Sequence, residues 1–439
     1  MKKVAKFGGS SLADASKFEK VRDIVLQDRD IHYMVVSALG KRNKSDNKIT
    51  DLLYLVYQHA KYHVDFSSLF EEIEERYLGV VKDLGLSIDL KPEFDELAKR
   101  LKEGKIKEEE LVSRGEYFSA KLMADYLGFA FVDSKDLIHF NYEGKVEEKE
   151  TEKAISAGLK GKDYVVIPGF YGSYPNGEIC LFSRGGSDVT GSYIARYAHC
   201  DLYENFTDVS GFYMADPHIV VNPRKIPYVS YDELRELAYG GAGVLQQDTI
   251  LPLIDKNIPL VVLNTNAPEE EGTVISNDTH EHSHLITGIT GKKNYLAFTF
   301  TKRRSEDTLL ALRKVLDVFA AYHVPVEHLP TSIDSFSVVV EKSRIEERFY
   351  DVVAELKKIE EIERIEEEDD LALLAVVGSN MVKKPGTSGR ILSIFGQEHI
   401  NIKLIDQGVK ELNTIIGVSN EDFERSLRSL YEAFAKEKV

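Results

Sequence analysis

Two glycine-rich segments of this chain carry basic side chains where they could hold an anion. In the first, Lys6 precedes Gly8 and Gly9, and Ser10 and Ser11 follow. Paired glycines let a backbone approach a ligand closely, and the start of a helix directs free N–H groups at an anion. A lysine ahead of the glycines adds a point charge for phosphate. The segment is not a Walker A loop, because GxxxxGK[ST] is absent, and a tight structural turn is the alternative interpretation.

The second segment, residues 182–188 (FSRGGSD), repeats this pattern with an arginine. Arg184 could bind a carboxylate through two parallel hydrogen bonds. Asp188 could orient a lysine or a magnesium-bound water. Because the segment lies where a strand gives way to a helix, a binding loop is favoured over a simple turn.

Two further segments could contribute to a site. Residues 113–116 (SRGE) precede an amphipathic pattern over 117–127. Glu116 could receive a substrate ammonium, or Ser113 and Glu116 could form a capping box at the start of that helix. Residues 207–217 (TDVSGFYMADP) follow a predicted strand, so they could build a nucleotide pocket at the carboxyl edge of a sheet or form a Pro/Gly turn.

Short strands that alternate with helices must position these segments. Over residues 1–280, strand patterns occur at 4–7, 33–37, 164–167, 179–182, 202–206 and 260–264. Residues 50–112 are helical in pattern, and the polar stretch 41–48 is typical of a mobile loop. This alternation predicts an α/β fold with a mainly parallel sheet that is covered by helices on both faces.

The last third of the chain contains an internal repeat. At an offset of 76 residues, Phe319 corresponds to Phe395 and His323 to His399. Each copy has the pattern strand, helix, strand, strand, which predicts two small α+β modules. The acidic run 360–370 separates the copies, and we expect a solvated helix end and loop there.

Composition excludes several classes of function. The 56 basic and 73 acidic residues give a net charge of −17, which argues against a nucleic-acid or anionic-membrane binder. Two cysteines cannot form a disulfide framework, and no CxxC metal motif occurs. The sequence lacks a secretory signal and any apolar run near the ~20 residues that span a bilayer. We therefore expect a soluble cytoplasmic protein of roughly three domains.

Taken together, the segments resemble the aspartokinase family, in which an amino-acid-kinase fold precedes two ACT regulatory modules. Lys6–Ser11 matches the KFGG[TS]S opening, Ser113–Glu116 the SxGE segment, Arg184–Asp188 the RGGSD segment and Thr207–Pro217 the nucleotide segment. The resemblance implies a catalytic domain over 1–280, with a helical subdomain over about 51–112. It also implies a regulatory region over 281–439 with interleaved ACT modules at about 292–365 and 370–439. No room is left for a fused dehydrogenase, so we expect a monofunctional enzyme.

The resemblance implies that ATP, with Mg²⁺, phosphorylates the side-chain carboxylate of L-aspartate in lysine, threonine and methionine biosynthesis. The implied catalytic residues are Lys6 and Asp188, and no metal ion is held by protein side chains alone. The implied aspartate-binding residues are Ser37, Thr50, Glu116, Arg184 and Ser187. The implied ATP-binding residues are Lys6, Gly8, Gly9, Ser10, Thr207, Asp208, Tyr213 and Asp216.

The ACT pair implies feedback inhibition by lysine, alone or with threonine. Segment 324–334 would form the effector site across a subunit interface, which implies a homodimer or homotetramer. The implied effector residues are Val326, Glu327, Thr331, Ser332, Ile333 and Asp334.

Two departures from the family pattern leave alternatives open. The family arginine of DPR is His218 here, and the lysine of GAKVLHP is Gly243. We consider Arg224 or Lys225 as replacement charges. A catalytically impaired amino-acid sensor of the same fold is the alternative function. A glutamate or uridylate kinase is a second rival, against which the SRGE segment and the ACT tandem both count.

Overall fold

The computed structural model describes residues 1–183, 185–243, 245, 247–277, 284–304, 306–408, 410 and 412–437. The chain forms two compact units. The first contains residues 1–212, 227–231 and 244–278, and the second contains residues 213–226, 232–243 and 279–439. Two stretches that precede residue 280 therefore belong to the second unit.

Strands occur throughout both units. In chain order they are β1 (Lys3–Phe7), β2 (Ile31–Val36), β3 (Ala130–Phe131), β4 (Val165–Pro168), β5 (Tyr171–Ser173), β6 (Ile179–Leu181), β7 (Leu202–Thr207), β8 (Phe212–Tyr213), β9 (Lys225–Ile226), β10 (Tyr228–Ser230), β11 (Leu260–Asn264), β12 (Thr273–Ser276), β13 (Gly288–Lys302), β14 (Ser335–Glu341), β15 (Ile362–Val377), β16 (Leu404–Asp406) and β17 (Asn413–Val418).

The helices pack around these strands. They are α1 (Ala15–Gln27), α2 (Ile49–Lys61), α3 (Ser67–Leu84), α4 (Lys91–Lys102), α5 (Glu108–Leu127), α6 (Glu148–Gly158), α7 (Gly186–Tyr197), α8 (Tyr231–Tyr239), α9 (Gln247–Ile254), α10 (Thr308–Ala321), α11 (Lys342–Ile345), α12 (Phe349–Leu356), α13 (Thr387–Gln397) and α14 (Phe423–Phe434). Short 3₁₀ turns cover Gly9–Leu12, Ser134–Asp136, Glu346–Arg348 and Ser379–Lys383. Among the described residues, none of the helices is both long and apolar enough to cross a membrane.

The first unit is built on one large sheet. In the described part of the chain, eight strands form it in the order β10-β12-β11-β7-β1-β2-β4-β3. Neighbouring strands run parallel except β11 and β12. Central strands such as β2 are buried along most of their length, which explains their continuous apolar sequence. The predicted mainly parallel sheet is confirmed, although β6 pairs with β5 outside it.

Helices cover both faces of this sheet, as β1 shows. Side chains alternate between the two faces of a strand. Ala5 and Phe7 belong to the apolar core that α1 to α5 complete, whereas Lys6 reaches Asp188 on α7. The prediction of helices on both faces is therefore confirmed.

Helix α5 begins earlier than the sequence pattern suggested. Glu108, Glu109 and Glu110 occupy its first turn, where the positive end of the helix dipole favours acidic side chains. Ser113 lies one turn further on and donates to the Glu110 carbonyl. The capping-box interpretation of 113–116 is therefore wrong, and Glu116 lies on the buried side of a continuous helix.

The second unit contains a five-stranded antiparallel sheet in the order β14-β13-β15-β17-β16, counted over its described residues. The long strands β13 and β15 run through both halves of this sheet. Gly288–Lys292 pairs with Leu373–Val377, and Tyr295–Lys302 pairs with Ile362–Leu371. One apolar core contains Phe319 of α10, and the other contains Phe395 of α13 together with Ile289. The start of β13 thus pairs and packs with the part of this unit that comes last in the sequence.

The internal repeat appears as two equivalent helix ends. Helices α10 and α13 are each followed by a histidine with left-handed backbone, His323 with φ 55° and His399 with φ 54°. The acidic run 360–370, in contrast, does not form a helix end and loop. From residue 362 onward it is the first part of β15, whose backbone pairs with β13 and whose acidic side chains are exposed. That expectation was wrong, because a solvated strand can carry charges on both faces.

Candidate functional site

The predicted site residues of the first unit converge where β1, β2 and β7 end. These three strands are adjacent, and Lys6 lies in register with Val35 and Asn205. Ser37 N–H donates to the Phe7 carbonyl at 3.1 Å, and Gly8 N–H donates to the Phe206 carbonyl at 3.2 Å. The carboxyl edge of a parallel sheet is the usual place for a ligand.

The Lys6 ammonium lies at the centre of this edge. Lys6 is buried, with 8% of its surface exposed. Its Nζ lies 2.6 Å from Asp188 Oδ1 and 3.4 Å from Asn205 Oδ1. A Cβ built on Gly8 would lie 3.4 Å from the same Nζ. The positive charge is therefore held over the glycine segment, where it can offset the charge of a phosphoryl group.

Close backbone contact fixes the glycine segment. Gly40 N–H donates to the Gly9 carbonyl at 2.9 Å. A Cβ on Gly40 would lie 2.3 Å from that oxygen, and a Cβ on Gly9 would lie 2.9 Å from the Ala38 carbonyl oxygen. Larger residues would push the two loops apart. Ser10 is exposed and half-buried Ser37 lies where the second loop begins.

Helix α7 presents its N-terminus to the same edge. Gly185 precedes it with φ 72°, a left-handed conformation that favours glycine. Ser187 packs against Gly169, because a Cβ on Gly169 would lie 2.6 Å from Ser187 Oγ. Asp188 lies in the first turn and accepts from Asn205 Nδ2 at 3.1 Å. Arg184, the predicted carboxylate ligand, lies outside the described residues.

Glu116 is a buried carboxyl group with an open oxygen. Only 4% of the residue is exposed, and its Oε2 lacks a hydrogen-bond partner among the residues that the structure describes. Burial raises the pKa of Glu116 from 4.5 to about 8, against the opposing hydrogen bond from the Ala38 backbone. Gly115 permits this approach, since a Cβ there would lie 2.8 Å from Ala38 Cβ. Such a carboxylate can receive an incoming cation. Half-buried Thr50 lies in the first turn of α2.

Glu116→Gln is expected to stabilise the ligand-free protein more at pH 8 than at pH 6. The folded state holds a proton up to about pH 8, whereas the unfolded state releases it near the ordinary pKa of 4.5. The free energy of unfolding of the wild type therefore decreases as the pH rises through this window. Glutamine does not ionise, so the variant lacks this decrease. Melting temperatures from pH 6 to 8.5 should show a variant-minus-wild-type difference that widens with pH. A constant or narrowing difference would contradict a carboxyl group buried in its neutral form.

The predicted nucleotide residues divide between the two units. Thr207 ends β7 and donates to exposed Asp208 Oδ1 at 3.2 Å. Tyr213 and Asp216 belong instead to the second unit, where Asp216 Oδ1 accepts from His218 N–H at 2.8 Å. In the first unit, Ser11 and Thr265 hydroxyls lie 2.7 Å apart and tie the glycine segment to the end of β11.

Asn205 is a residue of the site that the sequence motifs did not predict. Asn205 contacts both Lys6 and Asp188 from β7, which lies beside β1 in the sheet. Its signal was available, since a buried asparagine within an apolar strand requires polar partners. Of the two proposed replacement charges, Arg224 donates through Nη2 to the Ile286 carbonyl at 3.1 Å within the second unit. This contact favours a structural role for Arg224.

The predicted effector segment borders the sheet of the second unit. Backbone hydrogen bonds join Glu327 and His328 to Val339, and Pro330 to Ser337, so the segment covers the outer edge of β14. Thr331 forms a bridge to Phe336, and Ser332 N–H donates to the Ser335 carbonyl. Ile333 is 85% exposed, Asp334 is exposed, and Val326 packs against the core.

Comparisons with known proteins identify families and relatives that this chain resembles. Residues 1–264 match the model of the amino acid kinase family, and residues 374–434 match a model of the ACT domain. The chain is 32% identical to aspartokinase 3 of Bacillus subtilis, with 98% of each chain covered. It is 26% identical to the lysine-sensitive aspartokinase 3 of Escherichia coli, again with 98% of each covered.

Solved structures show the same architecture. The crystal structure of Clostridium acetobutylicum aspartate kinase, described as an allosteric enzyme, superposes with a TM-score of 0.90 at 42% identity. The superposition covers 99% of this chain and 100% of that one. E. coli aspartokinase III in complex with lysine and aspartate gives a TM-score of 0.79 at 24% identity, over 99% of each chain. The second likeness shows a shared fold.

Proposed function

The chain belongs to the aspartokinase family, and we propose that it transfers the γ-phosphoryl group of ATP to the side-chain carboxylate of L-aspartate. One carboxylate oxygen forms a bond to phosphorus, the bond from phosphorus to the β,γ-bridging oxygen breaks, and ADP leaves. The products are ADP and 4-phospho-L-aspartate, a precursor for the biosynthesis of lysine, threonine and methionine.

The open oxygen of Glu116 is the observation that carries this proposal. A buried carboxylate without a partner among the described residues suits an α-ammonium group, which supplies both charge and hydrogen bonds. Ser37 and Thr50 border the same loop, and we assign them with Ser187 to the aspartate pocket. Arg184 would bind the α-carboxylate. Recognition of both charged groups selects an amino acid.

The remaining groups serve phosphoryl transfer. An aspartate side chain is ionised at neutral pH, since its ordinary pKa is about 3.9, so no general base is needed. Catalysis then requires in-line positioning and neutralisation of charge on the phosphoryl oxygens. We assign the neutralisation to Lys6 and to the backbone N–H groups of Gly9 and Ser10, whereas Gly8, whose N–H donates to the Phe206 carbonyl, would let the phosphoryl group approach the backbone closely. Asp188 would hold the Lys6 ammonium in place. Thr207, Asp208, Tyr213 and Asp216 would bind the nucleotide.

The residues present fit a magnesium ion that arrives with ATP. Over the described residues, no cluster of three or more His, Cys, Asp or Glu side chains could hold a metal. Mg²⁺ commonly binds through one or two carboxylates together with substrate phosphates. Asp188, 18% exposed at its side chain, and exposed Asp208 are carboxylates at this edge. The ion would offset phosphate charge, while Lys6 and Asp188 orient the transferring group.

Hydroxylamine trapping tests the reaction directly. The purified protein, MgATP, L-aspartate and hydroxylamine should yield aspartyl hydroxamate together with ADP, and L-glutamate in place of aspartate should yield neither. No hydroxamate from folded protein would overturn the proposed reaction. Binding of an amino acid without any turnover would instead support the impaired sensor.

We also infer feedback by lysine, through a homodimer or homotetramer. Segment 324–334 supports this proposal, because it places exposed Ile333 and Asp334 at a sheet edge. Exposed apolar side chains at such an edge suit contact with a second copy. Tyr239, the last residue of α8, donates to the Glu327 carbonyl at 2.6 Å. A ligand on this segment could therefore influence the end of α8. The E. coli relative, which is named lysine-sensitive, points the same way.

Lysine is expected to lower turnover, and Asp334→Asn to raise the half-inhibitory lysine concentration by about tenfold. Loss of a carboxylate that pairs with a cationic ligand costs about this much. Initial rates against lysine concentration measure the effect, and light scattering gives the oligomeric state. Asp351→Asn, on the surface of α12, is the control and should leave inhibition unchanged. If added lysine changes neither the initial rate nor the melting temperature, lysine is not the effector.

A further inference from the structure

Arg76 is a buried arginine outside the proposed substrate contacts. It lies on α3, and 6% of its surface is exposed. Its Nη1 donates to the Asn47 carbonyl at 2.8 Å, and its Nη2 donates to the Gly40 carbonyl. Burying a guanidinium is costly unless its hydrogen bonds are satisfied. The structure provides acceptors for Nη1 and Nη2 at the two ends of one loop, residues 40–47, whereas Nε lacks a partner among the described residues.

A carboxylate inside the loop completes the arrangement. Asp46 is buried, and its Oδ2 lies 3.6 Å from Arg76 Nη1. The same oxygen accepts from Arg42 N–H and from Arg42 Nε, each at 2.9 Å. These hydrogen bonds hold the pKa of Asp46 below its usual range. The polar stretch 41–48 is therefore anchored to α3 through side chains, in contrast to the mobile loop that its sequence suggested.

This loop connects the two parts of the proposed site. Gly40, which Arg76 holds, donates to the Gly9 carbonyl of the glycine segment. Ser37 lies just before the loop, and Thr50 lies just after it. Any movement of residues 40–47 would therefore change both the aspartate pocket and the position of Gly9.

We propose that Arg76 is a positioning residue that fixes loop 40–47 and thereby sets the aspartate pocket against the glycine segment. The inference rests on the proposed function, because it concerns the geometry of that site. A guanidinium is suited to this role, since its planar fork can reach two carbonyls and a carboxylate at once. A lysine at the same position could serve fewer of these acceptors.

Arg76→Met is expected to raise the aspartate KM and lower kcat, each by about tenfold, because small displacements of a reacting group have large effects. The ATP KM should rise by no more than about threefold, because the loop touches the nucleotide residues only through Gly9, whereas Thr207 and Asp208 follow a different strand. Arg76→Lys should recover part of the loss. Guanidinium ion at low millimolar concentration should partly restore Arg76→Ala.

Arg100→Met is the matched control. Arg100 pairs with Glu110 at 2.7 Å in the same group of helices, and its hydrogen bonds among the described residues go to Glu110 and to the Lys105 carbonyl. This variant should lower stability, but the ratio of the aspartate KM to the ATP KM should stay at its wild-type value. Melting temperatures identify variants that fail to fold, and Asp46→Asn provides a milder change in the same loop, with the same KM split expected in reduced form.

The outcomes separate the inference from the proposed function. Wild-type protein that forms no aspartyl hydroxamate overturns the function. Active wild type, together with folded Arg76→Met that keeps the wild-type aspartate KM and kcat, overturns the inference. The inference would also be overturned if both KM values increased equally, with no recovery in Arg76→Lys and none of Arg76→Ala by guanidinium ion. That result would show that Arg76 acts on stability alone.

Discussion

Replacing Lys6 by methionine is expected to reduce kcat by about a thousandfold, while the aspartate KM stays within about threefold of wild type. Methionine keeps much of the side-chain length and removes the charge. That charge is needed most when negative charge develops during phosphoryl transfer, so the transition state loses more than the bound substrate. Steady-state kinetics with both substrates varied will measure the two constants.

Lys3→Met is the control, because Lys3 lies on the same strand. Its Nζ pairs with Asp28 at 2.5 Å and Glu204 at 2.9 Å, at the opposite end of β1. This variant should lose stability but keep kcat within about threefold of wild type. Equal losses of kcat in both variants, or a Lys6 variant that changes KM alone, would contradict the role assigned to Lys6.

Glu116→Gln is expected to raise the aspartate KM about a hundredfold and leave the ATP KM near its wild-type value. The wild-type constant should also depend on pH. In the ligand-free protein the pKa of Glu116 is about 8. Below that pH, aspartate must therefore displace the proton of Glu116 when it binds. Apparent affinity should therefore rise by about tenfold per unit as the pH approaches 8, and then level off.

In Glu116→Gln this pH dependence should disappear, because glutamine does not ionise. Glu110→Gln is the matched control on the same helix, where Glu110 pairs with Arg100. It should keep both the wild-type KM and its pH profile. A Glu116 variant that keeps the wild-type slope between pH 6 and 8 would show that another group binds the ammonium.

The fold of the first unit was largely predictable from sequence. Strands buried on both faces appear as short apolar runs, so the limits predicted for β7 and β11 differ from the observed limits by at most one residue. The start of α5 was not predictable from the apolar pattern, because its first turn consists of acidic residues that are exposed or half-buried. The acidic part of β15 gave no strand signal either, because its exposed residues lack an apolar pattern. Only the pairing with β13, which is distant in sequence, makes it a strand.

The candidate site was predictable as a set of segments, although its contacts were not. The glycine and basic residue types indicated anion binding, but the Lys6 contact with Asn205 joins residues 199 positions apart. Nothing local to Arg76 shows that it reaches Gly40, because α3 reads as an ordinary amphipathic helix. The placement of Tyr213 and Asp216 in the second unit likewise depends on tertiary packing.

Strands β13 and β15 each run through both halves of the sheet in the second unit. A fragment cut near residue 365 would lose ladder hydrogen bonds on both sides of the cut, so neither half of this unit can be inherited or exchanged as an independent piece. Recombination between relatives should succeed only when the whole sheet moves together. The unit should also melt in one cooperative step, and a distortion at one end of a shared backbone is carried directly to the other.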